Sequence, residues 1–98
     1  MIQENEIQGP YTMVPDYILS LGLSPYAFTL YVHLRAMARG DRTGWHWKST
    51  RALAQECNMS IGEVSQAKRE LETAGLIERQ LRIPEGGQRP CDFIRIRR

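Results

Sequence analysis

The chain has 98 residues, 42% hydrophobic and 24% charged, with thirteen Lys and Arg against eleven Asp and Glu for a net charge of +2. That length makes one ordinary domain with one modest core, and the composition excludes disorder and fibrous repeats. The positive balance is too slight to identify a nucleic-acid partner by itself.

The stretch Met1–Ile7 is acidic and polar, with neither the basic region nor the apolar run of a signal peptide. The longest apolar stretch, Tyr26–Leu34, is interrupted by Thr29 and His33 and is too short to span a bilayer. Cys57 and Cys91 lack CxxC spacing, so two reduced thiols in a cytoplasmic protein are expected.

Residues 1–13 read as a loose lead-in. Val14–Leu19 suits a short helix with Pro15 in its first turn, and Leu21, Gly22 and Leu23 connect onward. Ser24 and Pro25 then open a clear helix, Ser as cap and Pro at the first helical position. Ala27, Leu30, Tyr31, Leu34 and Ala38 recur at helical spacing, thickened by Phe28 and Val32, which predicts a central pillar. Arg39 and Gly40 are expected to end it, and Asp41–Gly44 to form a turn.

Trp45, His46 and Trp47 alternate like a short strand with both rings on one face. Ser49 caps a second helix over about Thr50–Cys57, with Leu53, Ala54 and Cys57 inward. Asn58 and Met59 form a tight turn, for which Asn tolerates the left-handed conformation. Ser60 followed by Glu63 is a capping box, and Val64, Ala67 and Leu71 are the buried face of the helix it starts. Gly75 stops that helix, with Leu76 packing back on Leu71.

From Leu76 to Ile83 the pattern alternates, Ile77, Leu81 and Ile83 against Glu78, Gln80 and Arg82. Pro84–Pro90 is a hairpin loop around Gly86 and Gly87, and residues 92–97 return with Ile94 and Ile96 facing one way. Phe93 falls on the side of Arg95 and Arg97, which predicts a bulge or partial cover there.

Two short helices joined by a tight turn, followed at once by a basic hairpin, form a helix-turn-helix with a wing. Burying Val64, Ala67 and Leu71 leaves Gly62, Ser65, Gln66 and Arg69 at i, i+3, i+4 and i+7, one polar face. It is slim at its start and longer toward its end, as a helix seated in the major groove requires. Gln66 suits adenine and Arg69 suits guanine. Lys48, Ser49, Thr50 and Arg51 at the start of the preceding helix, together with Lys68, are the expected phosphate contacts. Arg82, Gln88 and Arg89 on the wing suit the backbone or minor groove.

From Trp47 to Ile77 the sequence resembles a bacterial winged helix-turn-helix. The resemblance is carried by Trp47, Ser49, Leu53, Ala54, Met59, Ser60, Val64, Ala67, Leu71, Gly75, Leu76 and Ile77. Upstream, Val14 and Pro15, Leu23 and Ser24, and Leu30 and Tyr31 are similar to N-terminal domains of plasmid and phage replication initiators and replisome organisers. The central portion is similar to gluconate-repressor-like transcription regulators. Lys48 stands where that superfamily often has Pro, adding a cation beside the cap.

The resemblance implies an α+β winged helix-turn-helix over residues 14–98, with three main helices and a small antiparallel β-hairpin wing. It implies sequence-specific binding of double-stranded DNA by a recognition helix near 60–74 and a wing near 76–97. The process would be transcription regulation or replication initiation in a bacterium, phage or plasmid, in the cytoplasm with the nucleoid. A homodimer and a replication or transcription protein are further partners it leaves open. The rival reading is a winged helix used for protein–protein contact or dimerisation, which the acids Glu63, Glu70 and Glu72 around the recognition helix favour.

Plainer roles compete at several positions. Glu63 needs no role beyond capping, and Cys57 is ordinary core. Core filling is the expectation for Trp47, while for Trp45 stacking on a nucleobase stays equally open. Arg95, Arg97 and Arg98 read as a solvated strand face. His33, His46, Cys57 and Cys91 lack ligand spacing, so no metal and no cofactor are expected. No nucleophile, carboxylate pair or phosphate loop has the context of a catalyst, so no enzyme is expected either.

Overall fold

The computed structural model describes residues 12–39 and 44–97. The expected lead-in up to residue 11, the stop at Gly40, most of the 41–44 turn and Arg98 lie outside them. A 3-10 helix over Asp16–Ser20 precedes α1 (Pro25–Met37), β1 (His46–Trp47), α2 (Thr50–Cys57), α3 (Ile61–Thr73), β2 (Ile77–Arg82) and β3 (Cys91–Ile96). The strands form one antiparallel sheet in the order β1-β3-β2. Three helices with this sheet are an α+β winged helix-turn-helix.

The helix starts follow from their caps. The Ser24 hydroxyl accepts from the Ala27 amide at 3.1 Å, and that of Ser49 from the Ala52 amide at 3.0 Å. At α3 the box closes both ways: Ser60 Oγ accepts from the Glu63 amide, and Glu63 Oε1 from the Ser60 amide at 2.8 Å. Pro15 lies just before the first helix in extended conformation rather than inside its first turn, and that helix is of the tighter 3-10 kind.

Between α2 and α3, Asn58 takes the left-handed conformation at φ 56°. The Met59 amide then reaches back to the Ala54 carbonyl at 2.9 Å, which satisfies the end of α2. Gly75, at φ 76°, ends α3 with the Gly75 amide on the Glu72 carbonyl and the Leu76 amide on the Leu71 carbonyl, both at 3.0 Å. This pair of bonds is a Schellman ending, and it turns the chain straight into β2.

The core gathers Ile18, Leu30, Tyr31 and Leu34 from the first two helices with Leu53, Val64, Leu71, Leu76, Ile77 and Ile94. α1 crosses behind the helix-turn-helix as the expected pillar. Cys57 is half-buried against this cluster.

The sheet departs from expectation at Trp47 and Leu81, and at Phe93 it meets the expectation by partial cover rather than by a bulge. No bulge interrupts β3: the register runs evenly from Ile77 opposite Ile96 to Arg82 opposite Cys91. Phe93 stays on the outer face and takes its partial cover from neighbouring side chains. Trp47 is not core filling, since it pairs with Phe93 on that same outer face and is 46% exposed. Leu81 shares the inner face with Ile77 yet is 72% exposed.

Candidate nucleic-acid interface

α3 presents Gly62, Gln66 and Arg69 to solvent with Ser65 partly covered, while Val64, Ala67 and Leu71 are buried. The four predicted reading residues therefore share one face, at i, i+3, i+4 and i+7. Gly62 has no backbone need to be glycine, because its φ is not positive. A Cβ placed there would meet only Ser60 Oγ at 3.9 Å, an ordinary contact. Nothing among the described residues requires glycine at this position.

Lys68 is a correction. It is 2% exposed, its Nζ donating to Thr50 Oγ1 at 3.2 Å and to Asp92 Oδ2 at 3.1 Å. An ammonium held so under the wing is not a phosphate contact. Its signal lay in the helix pattern, since Val64, Ala67, Lys68 and Leu71 are themselves spaced i, i+3, i+4 and i+7. Arg79, which the sequence reading passed over, completes the cluster by donating to Asp92 Oδ2 from Nε at 3.0 Å and Nη2 at 2.9 Å. The Asp92 carboxylate thus ties the recognition helix to both wing strands, and Lys68 links that cluster to Thr50 at the start of α2.

The remaining cations divide into committed and uncommitted. Lys48 donates to both carboxylate oxygens of Glu56 at 2.9 and 2.8 Å, and His33 Nε2 lies 2.6 Å from the same carboxylate. Lys48, with His33, holds Glu56 below the usual carboxylate range. Arg82 donates to Gln80 Oε1 at 2.7 Å and stacks on aromatic rings. Arg51, Arg69 and Arg89, by contrast, are exposed, and their guanidinium groups have no polar partner among the described residues. Arg69 sits on the α3 face, Arg51 in the first turn of α2, and Arg89 in the wing loop beside exposed Gln88. Ser49 and Thr50 flank the same α2 start, where Ser49 spends its oxygen on the cap and Thr50 accepts from Lys68.

The wing loop owes its shape to its glycines. The Gly87 amide donates to the Pro84 carbonyl at 2.8 Å, and Gly86 lies at φ 78°, as the third position of a type II turn requires.

The acids around α3 are occupied elsewhere. Glu63 serves the capping box, and the Ser60 amide, then the Tyr26 hydroxyl, hold its carboxyl below the usual range. Glu70 accepts from the Ser24 amide and hydroxyl, both at 2.7 Å, which ties α3 to the start of α1. Glu72 lies 3.6 Å from Arg79. Glu70 and Glu72 border the Gly62–Arg69 face, at i+4 from Gln66 and i+3 from Arg69, but each carboxylate is drawn to a partner off it.

Residues 21–77 match the family described as the helix-turn-helix domain. No curated protein matches the chain. Among solved structures, the fold is similar to that of a "Possible transcriptional regulator" from Methanosarcina mazei Go1, with a TM-score of 0.56 and 15% sequence identity. The match covers 82% of this chain and 61% of that one, so the chain spans about three fifths of its neighbour's length. Among the described residues no helix is long and apolar enough to cross a membrane.

Proposed function

The chain belongs to the helix-turn-helix domain family, and from that premise we propose that it binds double-stranded DNA sequence-specifically, with α3 in the major groove and the β2–β3 hairpin as its wing. The observation that carries this reading is the α3 face itself. A glycine with open space around it begins the face, and an arginine with no partner among the described residues ends it. A helical glycine costs stability, and close approach of backbone to a ligand offsets that cost.

In this reading Gly62 and Ser65 keep the helix close to the groove floor while Gln66 and Arg69 meet base edges. Arg51 and the α2 start with Ser49 and Thr50 take one phosphate run, with Lys48 free to join if it exchanges Glu56 for phosphate. Arg82, Gln88 and Arg89 take the other on the wing side. No cofactor, metal or catalytic step enters. The rival reading of a protein-contact module rested on Glu63, Glu70 and Glu72, and their carboxylates are engaged within the domain.

Regulation of transcription is the role adopted, in keeping with the description of the structural neighbour; replication initiation in a bacterium, phage or plasmid is the other process the family resemblance implies. Either places the protein in the cytoplasm, with the nucleoid. A homodimer would read a symmetric site in two halves, about one helical turn apart.

Selection of bound sequences from a random duplex pool tests the proposal. The expected result is a consensus whose binding weakens steeply with salt, as counterion release demands. Absence of duplex binding at low salt would return the protein-contact reading.

A further inference from the structure

The outer face of the sheet, turned away from the helices, carries an arrangement that duplex binding by α3 does not use. Trp45 and Trp47 come from the β1 segment, Phe93 and Arg95 from β3, and Glu78, Gln80 and Arg82 from β2. The Arg82 guanidinium lies 4.6 Å from the Trp45 ring centre and 5.3 Å from that of Phe93, and Arg95 lies 4.7 Å from Trp45. Phe93 in turn meets Trp47 at 6.4 Å, tilted by 43°. Cations and rings thus alternate across three strands, and the run ends on an indole with nearly half its surface bare.

Charge is unbalanced on this face. Arg82, Arg95 and Arg97 stand against Glu78, whose carboxylate holds Arg95 at 2.6 Å and Arg97 at 3.8 Å. Arg82 has an amide partner and no carboxylate among the described residues. A guanidinium lying over a ring can offer its other plane to a base and its N–H edge to a phosphate. A bare tryptophan beside it offers a π-face that any base can use. A ligand matching both must combine flat rings with regular negative charge.

We infer that the outer sheet face is a stacking platform for the unpaired bases of a single-stranded nucleic acid, with Trp47 and Phe93 as ring surfaces and Arg82 and Arg95 as combined stacking and phosphate groups. An acidic peptide would satisfy the charges and leave the indole bare. A second copy of the chain would bring the same excess of arginine against its own. Arg82 is shared with the wing contacts of the proposed duplex site, whereas Trp47 and Phe93 belong to this face alone, so variants at Trp47 separate the two.

The test uses the whole chain and labelled oligothymidylate of about ten nucleotides, with oligouridylate of the same length to tell DNA from RNA. Binding that quenches tryptophan emission is expected. Trp47→Leu should weaken it about five- to hundredfold, with Trp47→Phe restoring most of the loss and duplex affinity and melting temperature unchanged. The emission quench of the unaltered chain decides the matter even if a variant folds poorly. Equal affinity for an abasic oligomer of the same length would overturn the inference, as would undiminished binding by Trp47→Leu. So would an equal loss on duplex and single strand, which would assign Trp47 to the duplex site. Self-association of the unaltered chain that Trp47→Leu abolishes, without any binding of oligonucleotide, would assign the face to a dimer.

Discussion

Lys68 on the recognition helix and Asp92 on the last strand meet at 3.1 Å under the wing, with the lysine sealed and the aspartate still reachable by Arg79. The two partners are therefore not equivalent. Asp92→Ala leaves a buried ammonium with only the Thr50 hydroxyl, and should cost about 3–5 kcal/mol. Lys68→Met keeps the stem's packing and leaves Asp92 paired with Arg79, so its cost should be under about 1.5 kcal/mol. Urea denaturation of the two variants checks this, and equal losses would show that Arg79 does not hold the aspartate.

Gly62→Ala separates folding from binding. The position has helical backbone and room for a methyl, so the change should stabilise the fold by about 0.4–1 kcal/mol. If α3 lies close against DNA at this point, the same methyl should weaken duplex binding severalfold. A melting curve and a titration on one preparation read both effects. A raised melting temperature with unaltered affinity would move the contact point away from Gly62.

The acid limb of stability should carry the capping box. The Ser60 amide, followed by Tyr26, lowers the pKa of Glu63, so the folded state favours its ionised form. That contribution is fully present above the ordinary glutamate value of about 4.3 and is lost as pH falls through the lowered folded value. Glu56, held by Lys48 and His33, and Glu78, held by Arg95, add losses in the same direction. Glu63→Gln keeps an acceptor for the Ser60 amide while removing one titration. Its stability should fall less steeply below that value than the parent's, and parallel curves would exclude Glu63 from the acid limb.

These outcomes bear on what a sequence can disclose. The helix starts were legible because their signals are local: Ser24, Ser49 and Ser60 each cap an amide three residues on. The Gly75 ending and the α3 face were legible for the same reason. Lys68 was misread because its partner lies 24 residues away, and a lysine is priced as solvent-facing until a buried carboxylate is known. Trp47 was misread because a two-residue strand does not fix its own faces; pairing with Phe93 does. Glu70 gave no sign of reaching Ser24, 46 residues back.

The wing arginine offers a test of grip. Arg89 is exposed, its guanidinium without a polar partner among the described residues, in a loop shaped by Gly86. Arg89→Ala should weaken binding to all duplexes by a similar factor and lower the salt slope by about 1, as loss of one phosphate contact requires. Titrations across a salt series decide it, since an unchanged slope would mean that the hairpin tip stays off the backbone.

Arg69 is where reading bases and gripping the backbone part company. It shares the α3 face with Gln66, beyond a start kept slim by Gly62 and Ser65, and Glu70 and Glu72 are both turned to partners elsewhere. Arg69→Ala should cost about 1–3 kcal/mol on the selected site and relax selectivity at one base pair. Non-specific affinity should fall less, because Arg51, Arg89 and the α2 start would still hold phosphates. Folding should shift by no more than about half a kcal/mol, as for other exposed changes that break no cap or pair. Affinities for every single-base variant of the site settle the assignment. A uniform loss across them would give Arg69 to the backbone, whereas no loss at all would remove α3 as the element that reads sequence.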